Sequence, residues 1–212
     1  MKLIEFSDRH AASAAAAGMI AEALEKSLGK DSTATMAIAG GSTPVECYEL
    51  LSRQPLPWRR VIVTLTDERD VPPDHELSNE RMVRGALLQD AAAGAEFVPL
   101  FMDSSKSDHP PFAVVLLGMG EDGHFAGIFP DAANLDDLLR PDGGPGTAVV
   151  STCASPVRRH TRSLYSLLNT SCLLMMAFGE RKRTLLLDPS DKLPVHALRH
   201  HAGDALTVYW AP

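Results

Sequence analysis

Apolar residues along this chain fall into two alternating patterns, short unbroken runs and longer stretches with helical spacing. The segment from Asp8 to Leu28 is rich in alanine. Met19, Ile20, Ala23, Leu24 and Leu28 recur at helical spacing, and Gly29 follows as a stop signal. That spacing predicts a helix with a flat, small-residue face suited to packing on a sheet. Thr33 to Ala39 is a β-prone run ending in Gly40-Gly41, and a helical pattern resumes from Pro44 through Val45, Tyr48, Leu50 and Leu51. Proline suits a first helical turn, where its missing N–H costs nothing. Val61 to Thr66 reads as the next strand, Ser78 to Leu88 as a helix capped by Ser78, and Phe112 to Leu117 as a third strand ending in glycine. Further strands are predicted at Ala148 to Ser151, Ser171 to Phe178 and Leu206 to Trp210, with a helix from Gly179 to Leu187.

Strands that are apolar throughout, separated by helices, indicate a mostly parallel sheet covered on both faces. The class is therefore α/β. In such sheets ligands bind beyond the carboxyl ends of the strands, so chemistry is expected just after the first three runs. Residues 130–147, rich in Asp, Gly and Pro, read as a surface excursion with one helical turn from Leu135 to Leu139. That stretch is too short to separate two units, and residues 1–212 are expected to form a single domain.

Composition narrows the partner. The 212 residues are 45% hydrophobic and 22% charged, as in ordinary globular proteins. Asp and Glu outnumber Lys and Arg 27 to 20, a formal charge of −7 with a pI near 5.6. This balance argues against nucleic acid, whose phosphates require a basic face. A small anion is still permitted, because it needs only a local cluster of cations. No apolar run reaches membrane-span length, and Glu5, Asp8 and Arg9 stand where a signal peptide would carry its apolar core. Cys47, Cys153 and Cys172 have no paired spacing, which fits a reducing cytoplasm; the latter two read as core thiols. His196 and His200 are four apart but lack a third ligand at metal spacing, so an exposed helix end is expected there and no metal.

Three strand ends carry unusual residues. The first is Gly40-Gly41-Ser42-Thr43-Pro44, a glycine loop leading into a helix, where free N–H groups and two hydroxyls suit an anion. It lacks the lysine of a nucleotide-triphosphate loop. The second is Asp67-Glu68-Arg69-Asp70: Asp67 can accept from sugar hydroxyls, and Arg69 presents a fork for phosphate or carboxylate. The third runs Gly118-Met119-Gly120-Glu121-Asp122-Gly123-His124. The N–H groups around Gly118, Gly120 and Gly123 could converge on an oxyanion, and His124, two residues after an acid, is a candidate general base. No GxSxG nucleophile elbow is present, which argues against a Ser–His–Asp hydrolase.

Taken together, GGSTP, TDERDVP followed by Ser78-Asn79, and LLGMGEDGHFAGIFP resemble the 6-phosphogluconolactonase family. The likeness continues through Gly179-Glu180-Arg181-Lys182 and the closing LPVHAL and VYW segments, nearly the whole chain. It implies a Rossmann-like three-layer α/β/α sandwich, shared with glucosamine-6-phosphate deaminases and ribose-5-phosphate isomerases, with no dinucleotide or other cofactor. It implies hydrolysis of 6-phospho-D-glucono-1,5-lactone in the pentose phosphate pathway by a monomer or homodimer. Under that resemblance His124 is the base and Arg69 aids the oxyanion, while Asp122 either orients His124 or binds a hydroxyl. Lys182 and Arg159, with Ser42 and Thr43, then take the phosphate, although Arg158 or Arg162 could fill the place of Arg159. Deaminases carry DEY and GHxxFNEP where this chain has Asp67-Glu68-Arg69 and a block without glutamate, which favours the lactonase. A sugar-phosphate-binding module without catalysis is the other reading, weakened because the sequence opens on the expected first helix rather than a basic domain. Ala113, Gly127 and His160 depart from the family's usual residues.

Overall fold

The structure is a computed structural model that describes residues 1–101, 111–190 and 192–212. A seven-stranded sheet runs through its centre, built from β1 (Lys2–Glu5), β2 (Ala34–Ile38), β3 (Val61–Leu65), β5 (Glu96–Phe97), β6 (Val114–Gly118), β9 (Leu173–Phe178) and β10 (Leu206–Ala211). The order across the sheet is β1-β10-β9-β6-β2-β3-β5, and every neighbouring pair is parallel. Successive residues of the central strands face opposite cores, which is why these runs are apolar without alternation. Val114, Leu116, Leu174 and Met176 join one core; Val115, Leu117, Leu173 and Met175 join the other.

The first core is closed by α1 (Arg9–Leu28), α2 (Val45–Leu51) and α3 (Asn79–Ala86). Along α1, Ala16, Ala17, Ile20 and Leu24 are buried, so the alanine stripe brings the helix close onto the sheet. Asp8 caps it by accepting from the Ala11 N–H at 2.8 Å. Pro44 stands one residue before α2, and Ser78 caps α3 through the Arg81 N–H at 3.2 Å. The second core is covered by α5 (Leu164–Leu168), α6 (Glu180–Leu187), α7 (Pro194–Ala202) and the short α4 (Leu135–Leu138). The layering is the α/β/α sandwich that the sequence predicts.

Four expectations change. The chain places β1 ahead of α1, on the sheet edge beside β10, where four residues, three of them exposed, are too few to show a period. The strand expected at Ala148 to Ser151, β7 (Thr147–Thr152), lies outside the main sheet. It forms a separate antiparallel sheet with β8 (Ser155–Arg162) and β4 (Asp67–Arg69), in the order β4-β8-β7. Polar β8 escaped prediction because its partners, not its own pattern, make it a strand. Cys153 is exposed in the turn between β7 and β8 rather than in a core. His196 is buried, not solvent-facing: its Nε2–H donates to the Leu185 carbonyl at 3.0 Å, and Nδ1 accepts from the Leu193 N–H at 3.4 Å.

From β2 the chain moves outward through β3 to β5, then returns to β6 on the other side of β2. Connections leave β2 and β6 in opposite directions, and a crevice opens beyond their carboxyl ends. Among the described residues, no helix is long and apolar enough to cross a membrane.

Candidate active site

A cavity of about 290 Å³ fills this crevice. Its walls come from the loop after β2 (Gly40 to Thr43), the loop after β6 (Gly118 to Gly120 and His124), β4 and β8 through Asp67, Arg69 and Arg159, and Lys182 of α6. Two loops, two strands and a helix thus meet where the crossover geometry requires.

His124 is aimed by its own loop. Its Nδ1 lies 2.5 Å from Asp122 Oδ1, and its backbone N–H donates to the same oxygen at 3.2 Å. An ionised carboxylate only accepts, so Nδ1 carries the proton and Nε2 is left with a free lone pair. Gly120 makes room for this pair, since a Cβ there would overlap the His124 ring and Asp122. The Phe129 ring packs on the imidazole with centroids 4.2 Å apart and planes tilted by 31°, and the Arg159 guanidinium lies 5.7 Å from the same ring. The loop's hydrogen bonds correct one expectation. The Gly120 N–H donates to the His124 carbonyl at 2.9 Å and the Gly123 N–H to the Gly120 carbonyl at 3.2 Å. Both donors fold the loop and are not free for an oxyanion. Gly123 instead supplies a φ of 80° beside Leu193, where a side chain would be strained and crowded.

The Asp67-Glu68-Arg69-Asp70 segment divides by strand alternation. Asp67 and Arg69 line the cavity. Glu68 turns away and is buried under α3, while Asp70 faces out to Arg158 at 2.7 Å and His160 at 3.7 Å. Asp67 is buried and holds Arg159 at 3.5 Å through Oδ2. Burial pushes the Asp67 carboxyl above its ordinary range, opposed first by Arg159 and then by Arg69 and His124. Arg159 feels the same burial together with repulsion from Arg69, and a guanidinium stays charged regardless. The two arginines are direct cross-strand partners, Arg69 opposite Arg159. Like charges so paired repel, so a buried anion is the natural third party. The Arg69 Nη1 donates to the Leu77 carbonyl.

The choice among the arginines of β8 is a matter of facing. Arg159 lines the cavity; Arg158 points outward to Asp70; Arg162 is fully buried, donating from Nε to the Leu65 carbonyl at 3.0 Å and stacked over Phe112. Lys182 reaches the opposite wall from α6, and burial lowers its ammonium below the ordinary value, with Glu121 opposing. Its neighbours Arg181 and Arg183 turn outward to Glu121 and Glu5.

The comparisons with known proteins bear on this arrangement. The family model for glucosamine-6-phosphate isomerases/6-phosphogluconolactonase matches residues 7–108 and 95–209. The chain belongs to this family. Among relatives in the family, the 6-phosphogluconolactonase of Mesorhizobium japonicum is 36% identical, covering 98% of this chain and 94% of its own. That of Caulobacter vibrioides is 35% identical over 100% and 97%. A crystal structure of a 6-phosphogluconolactonase from Shewanella baltica superposes with a TM-score of 0.89 at 32% identity, over 100% of this chain and 98% of that one.

Within the family frame, the departures acquire local reasons. At Gly127 a Cβ would meet Thr161 at 2.8 Å, and the Gly127 N–H donates to Thr161 Oγ1 at 2.9 Å. Ala113 is buried in the first core. His160 packs edge-on against Phe101, with centroids 4.3 Å apart, on the side of β8 away from the cavity-lining Arg159. Sequence reasoning did not assign Asn79, Met119 or Ala126 to the cavity, although all three line it. Ala126 adopts a φ of 48°, a left-handed conformation that its residue type does not advertise. Tyr48, on α2, donates its hydroxyl to the Ala39 carbonyl at 2.7 Å and holds the end of β2 beneath the glycine loop, a contact that helical spacing does not signal.

Proposed function

We propose that this chain hydrolyses 6-phospho-D-glucono-1,5-lactone to 6-phospho-D-gluconate, the lactone-opening step of the oxidative pentose phosphate pathway. The observation that carries the reading is the Asp122–His124 pair, which leaves a lone pair on Nε2 in a cavity also lined by Arg69, Arg159 and Lys182. Family membership and relatives named 6-phosphogluconolactonase support it.

In this mechanism Nε2 of His124 takes a proton from water as the water oxygen bonds to C1. Asp122 stabilises the imidazolium that forms. Arg69, at the cavity wall, faces the negative charge that develops on the carbonyl oxygen. The bond from C1 to the ring oxygen then breaks, and Nε2 returns its proton to that oxygen as the 5-hydroxyl. The new carboxylic acid ionises, so one proton leaves per turnover. Such base catalysis is worth roughly 10²–10⁴-fold. Lys182 and Arg159, with the Gly41 to Thr43 loop, hold the phosphate dianion and anchor the ring over His124.

The test is proton release after addition of freshly made lactone, corrected for spontaneous hydrolysis. Acceleration that is lost in His124→Ala is expected; a wild-type rate equal to the uncatalysed rate would overturn the reading. A deaminase is the competing chemistry within the family. Counting from His124, the place of the deaminase glutamate is occupied by Phe129, whose ring packs on the imidazole and offers no proton. The free thiols of Cys47, Cys153 and Cys172 accord with work in a reducing cytoplasm.

A further inference from the structure

Asn79 opens α3, is buried, and bridges two walls of the cavity without being one of its charged groups. Its Nδ2 donates to the Asp67 carbonyl at 2.8 Å. A carbonyl only accepts, so the nitrogen faces β4 and Oδ1 points the opposite way. Oδ1 is sealed from solvent, and no donor reaches it among the described residues. It occupies the place where a side chain on Gly40 would begin; a Cβ there would overlap the carboxamide. Being sealed, Oδ1 cannot touch a substrate. Its contact is with the backbone of the glycine loop.

The other end of this contact is held rigidly. The Asn79 N–H donates to Glu68 Oε1 at 2.8 Å, and the same carboxylate accepts from the Glu80 N–H at 2.8 Å, the Ser78 hydroxyl at 3.0 Å and the Arg69 N–H at 2.6 Å. One buried carboxylate on β4 therefore closes the amino end of α3, where a negative charge is favoured. The chain of contacts runs from β4 through Glu68 to α3, through Asn79 to Gly40, and so to Gly41, Ser42 and Thr43.

We propose that Asn79 is a positioning residue that sets the placement of the Gly40 to Thr43 loop against the phosphate, coupling that loop to the strand that carries Asp67 and Arg69. The proposal rests on the reading above that this loop holds the phosphate.

Asn79→Ala keeps the helix start and removes the carboxamide. The expected result is a KM for the phosphorylated lactone raised about tenfold, the effect of losing the one Nδ2–Asp67 carbonyl hydrogen bond that holds the carboxamide against Gly40. The KM for unphosphorylated gluconolactone should move less than twofold, and kcat should fall less than KM rises. Gly40→Ala should be more damaging than Asn79→Ala, because the new methyl group drives into the carboxamide. In the double variant the emptied space accepts the methyl group, so its KM should lie below that of Gly40→Ala alone. A lowered melting temperature with KM unchanged for both substrates would assign Asn79 a purely structural role and overturn the proposal. Additive losses in the double variant would overturn the contact. Affinity for inorganic phosphate, measured by titration calorimetry on the same variants, separates the two readings. If the wild type binds phosphate without accelerating lactone hydrolysis, the enzymatic reading fails while the loop proposal is still decided by that affinity. Wild-type and Asn79→Ala protein of equal phosphate affinity would overturn it.

Discussion

Asp122 holds Nδ1 of His124 at 2.5 Å and also accepts the His124 backbone N–H, so one carboxylate orients both the ring and the peptide that carries it. The pair is local in sequence, spaced by Gly123 alone, and depends on a glycine at 120 for space. This relationship carries the first prediction. Asp122→Asn presents a carboxamide that can donate to Nδ1 and thereby hold the proton on Nε2. The expected loss in kcat is about 10²–10⁴-fold, with the melting temperature little changed. Adding His124→Ala to Asp122→Asn should cost little beyond His124→Ala alone; two independent, multiplying losses would refute the coupling.

Lys182 tests the phosphate wall. Its ammonium is half-buried at the cavity edge, and its neighbours Arg181 and Arg183 point elsewhere. Lys182→Ala should raise KM for the phosphorylated lactone at least tenfold, since hydrogen bonds to charged groups are worth about 1.5–3 kcal/mol. Unphosphorylated gluconolactone should be turned over nearly as before. Equal effects on the two substrates would remove Lys182 from the phosphate.

Asp67 makes a pH prediction with a definite sign. Burial raises its carboxyl above the ordinary 3.8 despite Arg159, so the folded state binds a proton more readily than the unfolded chain. The proton-linked stability is present below the unfolded value and is lost as pH rises through the folded one. Asp67→Asn cannot lose it. The stability difference, variant minus wild type, should therefore increase as pH is raised from about 3.8 towards neutrality. Denaturant unfolding at stepped pH measures this, and a difference that falls with pH would contradict it.

Gly127 makes a prediction about packing. Its φ is not in the left-handed region, yet a Cβ would lie 2.8 Å from the Cβ of the fully buried Thr161. Gly127→Ser should destabilise this chain by roughly 1–3 kcal/mol, the ordinary cost of overpacking. At about 2–4 °C per kcal/mol for a chain of this size, calorimetry resolves that loss. An unchanged melting temperature would mean that Thr161 yields freely.

Much of the fold was legible along the chain because local rules and the sheet agree. The unbroken runs at 114–118 and 173–178 are buried on both faces, and only a covered parallel sheet explains them. Gly120, Asp122 and His124 lie within one loop, so their proximity was readable from spacing, while the contact of Asp122 with the imidazole came only from the structure. Arg69 and Arg159 are 90 residues apart by numbering yet direct partners across β4 and β8, a relation carried by strand pairing that no local pattern records.

The sequence by itself determined the α/β class, the glycine-rich and charged strand ends that meet at the cavity, and the place of His124 among them, because these follow from periodicity and from glycine and charge placed at fixed offsets. Tertiary structure alone decided which charges face the cavity. Alternation along β4 sends Asp67 and Arg69 inward and buries Glu68 beneath α3, and the register of β8 selects Arg159 over Arg158 and Arg162. It alone spent the Gly120 and Gly123 N–H groups within their loop and pressed Asn79 against Gly40. The physical reason is common to all of these: a side chain's direction is set by its pairing partners, and those partners are distant in the chain.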